Sequence, residues 1–427
     1  MKVIIMAGGK GTRVESIASD IPKPMIPICG KPVLEYQIDC LKRNGLTDIT
    51  LVIGHLGNKI KEYFGNGCNF GCTISYFTET EPLGTAGALF KITDLPDDFL
   101  LINGDIIFDL DFSRIIAFHT QKKASATIVV HPNNHPFDSA LIETNGDHQV
   151  TGWLNKEDKR IYYKNQVNAG IHIISKAFLE NNLQTKEKVD IDRDLLKPSI
   201  PTGFIFAYQT PEYIKDMGNP ERFAQVTLDI EKGIVKKKNL KNRQKCIFLD
   251  RDGTINKYNG FIGKPEDFEL INGVSEAISK INSFGYLAIV ITNQPVIARG
   301  EIEIETLNLI HMKMETDLGN SHAYIDDLYY CPHHPESGFP GERTEYKIDC
   351  NCRKPKPGMI LAAAEKYNID LSNSYMAGDD MRDVKAGIAA GCIPVLLTDK
   401  SKETEISING ITVLQFSSLI EFVESCL

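Results

Sequence analysis

Ile247-Phe248-Leu249-Asp250-Arg251-Asp252-Gly253-Thr254 lies past the midpoint of the chain and reads as a second beginning. A short apolar run leads into two acids one residue apart, then Gly and Thr. This is the pattern of a buried parallel strand that delivers carboxylates to a loop. The residues before it need an account of their own. Near the start, Val3-Ile4-Ile5-Met6-Ala7 runs into Gly8-Gly9-Lys10-Gly11-Thr12-Arg13, another apolar strand opening into a polar loop. The chain therefore reads as two strand-led α/β units in one polypeptide.

The bulk numbers fit that division. A length of 427 residues suggests roughly two to three domains, and 42% hydrophobic content supplies more than one core. A net charge of −9 disfavours a general nucleic-acid or anionic-membrane binder, so anionic substrates need local Lys, Arg or metal. No apolar run approaches the roughly 20 residues that span a bilayer, and the run ending at Gly8 is too short for the apolar core of a signal peptide. The expected compartment is the cytoplasm. Of ten cysteines most are scattered, and the one dense group has metal-ligand spacing, which fits a reducing environment. Cys68 and Cys72, with no second ligand pair nearby, read as loop or packing cysteines.

In the first half, Val33, Leu34, Ile38 and Leu41 give a helical rhythm that Gly45 stops. Ile49-Thr50-Leu51-Val52-Ile53 is the next strand, and Phe99-Leu100-Leu101-Ile102-Asn103-Gly104-Asp105 is a further apolar run ending in a carboxylate. Such alternation predicts a largely parallel, doubly wound sheet whose ligands lie beyond the carboxyl ends of its strands. The Gly8–Arg13 loop offers bare backbone N–H groups with cationic Lys10 and Arg13, which suits a polyphosphate. Pro22-Lys23-Pro24 holds one lysine in a rigid turn, and Leu83-Gly84-Thr85-Ala86-Gly87 is a second Gly-rich loop.

These motifs resemble the sugar-1-phosphate nucleotidyltransferase family over residues 1–235. The resemblance implies that Gly8, Gly9, Gly11, Thr12 and Arg13 hold a nucleoside triphosphate and that Lys23 meets the reacting phosphates. It places Leu83, Gly84, Thr85 and Gly87 beside the base, Asp105 and Asp216 on Mg²⁺, and Asn168 and Gly170 on the sugar side. Phosphoryl-type transfer needs charge neutralisation and in-line positioning more than covalent help, and hard Mg²⁺ prefers oxygen ligands. The pattern departs from the family at Asn155-Lys156-Glu157, where Glu-Lys-Pro is usual. Lys156 still suits the sugar phosphate, but the acidic ligand for a sugar hydroxyl is missing there. A second departure is Gly218-Asn219-Pro220 in place of Gly-Thr-Pro.

Lys236-Lys237-Lys238, Lys241, Arg243 and Lys245 form a basic, weakly apolar stretch, read as a solvated linker or helix end over 236–244. Beyond it, Asp250-x-Asp252 suits a nucleophile and a nearby acid/base sharing a metal. Ala288-Ile289-Val290-Ile291-Thr292 ends in a hydroxyl, Arg353-Lys354-Pro355 supplies cations, and Met376-Ala377-Gly378-Asp379-Asp380 ends in carboxylates with Asp383 beyond. Four such elements in this order resemble the haloacid dehalogenase superfamily over residues 245–427. That likeness implies attack by Asp250 on phosphorus, proton transfer by Asp252, phosphoryl binding by Thr292 and Lys354, and Mg²⁺ on Asp250, Asp379 and the Asp252 backbone. Asp380 and Asp383 are read as capping or positioning groups as readily as chemical ones. Cys331, His333, Cys350 and Cys352 form a Cys₃His set suited to structural Zn²⁺.

With that loop the second half resembles the D,D-heptose 1,7-bisphosphate phosphatase group. Asn293, Arg299, Arg353 and Lys354 are then expected at the substrate. Pro295-Val296 replaces the group's Ser-Gly, which leaves the anomer open. A phosphatase that yields a heptose 1-phosphate would feed a nucleotidyltransferase that consumes one. The expected partners are therefore heptose phosphates and a nucleoside triphosphate, with a homo-oligomer left open. The expected product is GDP-D-glycero-α-D-manno-heptose for bacterial surface polysaccharide, the guanine by analogy alone. Two alternatives stand beside this reading. One is a mannose-1-phosphate or other hexose-1-phosphate guanylyltransferase fused to a histidinol-phosphate-type phosphatase; the other makes one domain a non-catalytic nucleotide-sugar sensor.

Overall fold

The computed structural model describes residues 1–9, 20–258, 260–398, 405–408 and 410–427. Gly11, Thr12 and Arg13, expected at the triphosphate, lie outside them. The chain divides into two compact units. The first comprises Met1–His131, Ile142–Asn155 and Gln166–Asn239, the second Pro132–Leu141, Lys156–Asn165 and Leu240–Leu427.

In the first unit Lys2–Met6 pairs in parallel with Asp48–Ile53 on one side and Asp98–Asn103 on the other. Met6 is level with Val52 and Asn103, so the three strands end together. Thr73–Thr78 extends the parallel set beyond Asp48–Ile53, and Val167–Ser175 runs antiparallel to Asp98–Asn103. The nine-stranded sheet is thus mixed. Helix Val33–Arg43 lays Val33, Leu34, Ile38 and Leu41 against the core. It stops where Gly45, at φ 73°, lets the Gly45 and Leu46 N–H groups return to Lys42 and Leu41. A separate ribbon pairs Tyr213–Asp216 antiparallel with Ile106–Asp109. Its last bond, from the Met217 N–H to the Asp105 carbonyl (3.0 Å), sets Asp216 beside Asp105 although they lie 111 positions apart in the sequence.

The second unit is a seven-stranded sheet in the order Asp327–Cys331, Leu287–Asn293, Cys246–Leu249, Tyr375–Gly378, Ile393–Leu397, Ile411–Phe416 and Glu405–Ile408. Among the described residues only the edge strand Glu405–Ile408 runs antiparallel. Cys246–Leu249 is buried on both faces, which is why it reads as an unbroken apolar run. Ile247 and Leu249 pack among residues of helices Val274–Ser283 and Leu419–Cys426, while Cys246 and Phe248 pack among residues of Gly358–Tyr367 and Met381–Ala390. Lys238, Leu240 and Gln244 are buried, whereas Lys236, Lys237, Lys241, Arg243 and Lys245 are exposed. The basic stretch therefore exposes five of its six cations and buries Lys238. No helix among the described residues is long and apolar enough to cross a membrane.

Two candidate active sites

The strand ends of the first unit open into a cleft of about 1050 Å³. Gly8, Gly9, Lys23, Gly84, Thr85, Asp105 and Asp216 all line it. Lys23 ion-pairs with Asp105, and Arg222 Nη1 donates to both oxygens of Asp216 at 2.8 Å. Arg222 is brought there by the helix Pro220–Glu231, whose N-cap Asn219 accepts the Arg222 N–H at 2.8 Å. Leu83 and Ala86 are fastened to the Val189 backbone (2.9 and 3.0 Å). Gly84, at φ 83°, could not carry a Cβ, which would fall 2.3 Å from the Val189 carbonyl oxygen. Gly87 packs against the Glu187 carbonyl in the same way and is not among the lining residues. Asn168 accepts the Gly170 N–H (3.1 Å) and donates to Asp192 (3.2 Å to each oxygen). Lys156 stands 57% exposed, 3.8 Å from Glu157, in a segment of the second unit.

Two groups, one paired with a cleft aspartate and one lining the cleft, escaped the sequence reading. Arg222 could have been sought as a cation one turn into a capped helix after Asp216. Glu79 follows the strand Thr73–Thr78, lines the cleft, and accepts the Leu83 N–H at 3.3 Å. Burial pushes its carboxyl above the usual range.

In the second unit Asp250, Thr292 and Asp379 stand at or just beyond the carboxyl ends of neighbouring parallel strands. Lys354 Nζ lies 2.7 Å from Asp250 and 2.6 Å from Asp383. Oxygens of Asp250, Asp379 and Asp383 come within 4.8 Å of one another. Burial pushes the Asp250 carboxyl up to about 7, with Lys354 opposing and Asp383 reinforcing, and burial with Asp250 raises Asp379 to about 6. The knot holds more negative charge than its single lysine balances. Gly253 (φ 84°) makes room for it, since a Cβ there would lie 2.1 Å from Asp379 Oδ2.

The side chain of Asp252, expected to transfer protons while its backbone meets the metal, is held by three neighbours. It accepts Arg251 Nη2 at 2.8 and 2.9 Å, Gln294 Nε2 at 2.9 Å and Asn256 Nδ2 at 3.1 Å. The third converging carboxylate is Asp383, while Asp380 is the N-cap of Met381–Ala390. Arg251 is itself fully buried and held by His311 Nε2 at 3.1 Å. Thr292 accepts Gln294 Nε2 at 2.9 Å.

Asn293, expected at the substrate, spends both amide atoms on the backbone N–H and carbonyl of Lys354 (3.0 Å each) and so fixes the lysine. Arg299 lies between the Phe261 and Phe339 rings (4.7 and 4.5 Å to the centroids) and 3.3 Å from His334, and Arg353 donates to the His333 carbonyl at 3.1 Å. Cys331 Sγ, His333 Nδ1, Cys350 Sγ and Cys352 Sγ approach one another at 3.1 to 3.6 Å. Four donors this close could hold one small cation.

A model of the nucleotidyl transferase family matches residues 2–233, and one described as HAD-hydrolase-like matches residues 351–412. The chain is 43% identical over 146 residues to D-glycero-beta-D-manno-heptose-1,7-bisphosphate 7-phosphatase of Vibrio cholerae serotype O1, covering 34% of this chain and 76% of that protein. It is 41% identical over 145 residues to the protein of that name from Escherichia coli K12, covering 34% and 74%. Among solved structures it is similar to HddC from Yersinia pseudotuberculosis, at 28% identity and a TM-score of 0.47, covering 54% of this chain and 99% of that one.

Proposed function

The chain belongs to the nucleotidyl transferase family and continues into a haloacid dehalogenase-like phosphatase, and from that premise we propose that it catalyses two consecutive steps. The second unit removes the 7-phosphate of D-glycero-D-manno-heptose 1,7-bisphosphate. The first transfers GMP from GTP to the resulting heptose 1-phosphate, giving GDP-heptose and pyrophosphate. The observation that carries the sugar is the 43% identity with a heptose bisphosphate phosphatase across 76% of its length.

At the phosphatase site Asp250 Oδ forms a bond to phosphorus as the P–O7 bond breaks, and Asp252 gives its proton to the departing O7. Asp252 then takes a proton from water, which opens the aspartyl-phosphate and returns Asp250. Lys354 and Thr292 bind the phosphoryl oxygens; Asn293 keeps Lys354 in place. Asp250, Asp379 and Asp383 fit a Mg²⁺ ion, because buried carboxylates so close together need a cation to stay ionised. Such an ion would neutralise charge on the phosphoryl group. Cys331, His333, Cys350 and Cys352 fit Zn²⁺, and Cys352 adjoins Arg353-Lys354, so that ion would fix the loop carrying both cations.

At the other site a phosphate oxygen of the sugar 1-phosphate attacks the α-phosphorus and pyrophosphate departs. Lys23 neutralises phosphate charge, and Asp105 and Asp216 would hold Mg²⁺. Glu79 supports the guanine: a carboxylate is an acceptor-only group, and guanine alone among the common bases offers adjacent N1–H and N2–H donors to it.

The test is product analysis with Mg²⁺, heptose 1,7-bisphosphate of each anomeric form, and each nucleoside triphosphate in turn. Phosphate, pyrophosphate and GDP-heptose are expected from one anomer with GTP. Phosphate without a nucleotide sugar from any triphosphate would overturn the coupling of the two steps.

A further inference from the structure

Three acids alternate at Asp190, Asp192 and Asp194, and the structure employs them differently. Asp190 accepts the Arg193 N–H at 2.9 Å and the Thr85 hydroxyl at 3.3 Å. Asp194 is tied to the Asp190 N–H (2.8 Å), to Lys186 (2.8 Å) and to Arg193 (3.1 Å). Asp192 has neither a backbone donor nor a lysine or arginine among the described residues. Among those residues its carboxylate accepts only the amide of Asn168, at a long 3.2 Å to each oxygen.

The Asp192 side chain is 38% exposed, yet protein surrounds the rest of it closely enough that burial, with Asp190, pushes its carboxyl up to about 7. Behind it His172, 2% exposed, points Nε2 at Asp192 Oδ1 from 3.8 Å, and that nitrogen has no hydrogen-bond partner among the described residues. Burial keeps this imidazole neutral, lowering it to about 4, so it brings no charge to the pair. A buried polar atom left unmatched beside a loosely held carboxylate marks a network with a member missing.

Two links join this network to the wall of the nucleotide cleft. Thr85 and Asn103 both line the cleft. Thr85 Oγ1 accepts the Ile191 N–H at 2.8 Å, fixing the turn that carries Asp192. Gly170, held by Asn168, packs on the amide of Asn103, where a Cβ would fall 2.3 Å from Asn103 Nδ2. We infer that Asp192 is a specificity-determining residue that accepts a ring hydroxyl of the sugar 1-phosphate, with Asn168 donating to the same oxygen. The inference rests on the nucleotidyl transfer proposed above.

The chemistry favours a neutral polyol. A carboxylate with no cation beside it repels phosphate, whereas a hydroxyl donates to it in a charge-assisted bond and accepts from the amide in the same step. The position also answers the departure at Asn155, where the chain has an amide in place of an acid. Asp192 supplies a carboxylate from a different part of the chain, so the hydroxyl it reads need not be the one a carboxylate at 155 would read.

The experiment compares full-length Asp192→Asn with the unaltered chain in nucleotidyl transfer, using the parent sugar 1-phosphate and a series of its monodeoxy analogues. Asp192→Asn is expected to raise the KM for the sugar 1-phosphate about 10- to 100-fold and leave that for the triphosphate within about twofold. The unaltered chain should reject one deoxy analogue by a similar factor, and Asp192→Asn should no longer distinguish it from the parent. Asp192→Glu, which keeps the charge and moves it by one methylene, is the second variant and should change the ranking of the analogues. Equal rejection of that analogue by all three chains, or equal rises in both KM values, would overturn the role of Asp192 alone. An unaltered chain that makes no nucleotide sugar from any sugar 1-phosphate would overturn this inference together with the reading beneath it.

Discussion

Lys23 with Asp105 and Lys354 with Asp250 are the same chemical pair, each acid just past the end of a central parallel strand, and they stand in different surroundings. In the first unit the lysine is 13% and the acid 37% exposed, and the neighbouring Asp216 has a cation of its own in Arg222. In the second, Lys354 is 3% exposed and serves both Asp250 and Asp383, the latter only 1% exposed, with Asp379 close by. In the open cleft each of the two aspartates has a cation of its own, an arrangement that a large anionic substrate can displace. The closed knot is charge-imbalanced by construction, which suits a small substrate and a resident cation. The fold supplies strand ends in both cases; what differs is how much water reaches them.

The largest expected effect separates the units by their metal chemistry. Among the described residues the Cys–His group lies wholly in the second unit. Metal analysis should find about one zinc per chain, and structural zinc carries on the order of 10 kcal/mol of apparent folding energy. Chelation followed by restored Mg²⁺ should abolish phosphate release and leave pyrophosphate release nearly intact. Loss of both activities together would erase the distinction, and finding no zinc would remove its basis.

Next in size is the exchange of single carboxylates. Asp250→Asn should lower phosphate release by about 10³-fold or more and spare nucleotidyl transfer, and Asp105→Ala should do the reverse. Both assays are run on one preparation. One substitution that silences both would sink the model of two independent sites.

The contrast in burial then becomes a contrast in stability. Removing Lys354 leaves Asp250 and Asp383 facing each other out of water, so Lys354→Ala should cost the second unit about 3–5 kcal/mol. Removing Lys23 from its part-exposed pair should cost the first unit only about 0–1 kcal/mol. Denaturant unfolding with a separate probe for each unit checks this, because a two-unit chain need not unfold in one step. Similar costs would mean that burial is not what distinguishes the two pairs.

The sequence carried the scaffold of this comparison because strand-then-carboxylate is a local pattern: Asp105, Asp250 and Asp379 could each be placed without knowing a neighbour. The partners could not. Asn293 reads as a substrate group until its amide is seen to hold the Lys354 backbone, 61 residues away. Asp383 sits where a capping acid is expected, and does cap; that its other oxygen meets Lys354 depends on how Met381–Ala390 packs on the sheet. Asp252 was placed by its spacing from Asp250, but Arg251 and Gln294 decide where its carboxylate points. Glu79 and Asp192 have no signature at all, since an acid after a strand or inside a short helical turn is ordinary on a surface. Charges paired through the fold are invisible to spacing, and these are the groups that tune each site.

The smallest effect concerns two buried histidines. His311 is buried and neutral, yet its Nε2 accepts from Arg251 at 3.1 Å; His172 is equally buried, and its Nε2 has no partner. For His172 the folded value of about 4 lies below the ordinary value of about 6.5. Below pH 6.5 the unfolded chain therefore binds the extra proton, and stability falls as pH drops from about 6.5 toward 4. Between pH 7 and pH 5 that amounts to about 2 kcal/mol. The single tryptophan, Trp153, is buried in the first unit and reports its unfolding by fluorescence. Comparing the chain with His172→Gln cancels the contribution of every other titrating group, so the difference between them should shrink from pH 7 to pH 5 by that amount. A difference that stays constant would show that His172 already takes up a proton in the folded chain. Asp192 would then have a cationic partner, the network behind it would be complete, and the case for a hydroxyl ligand there would lose its second observation.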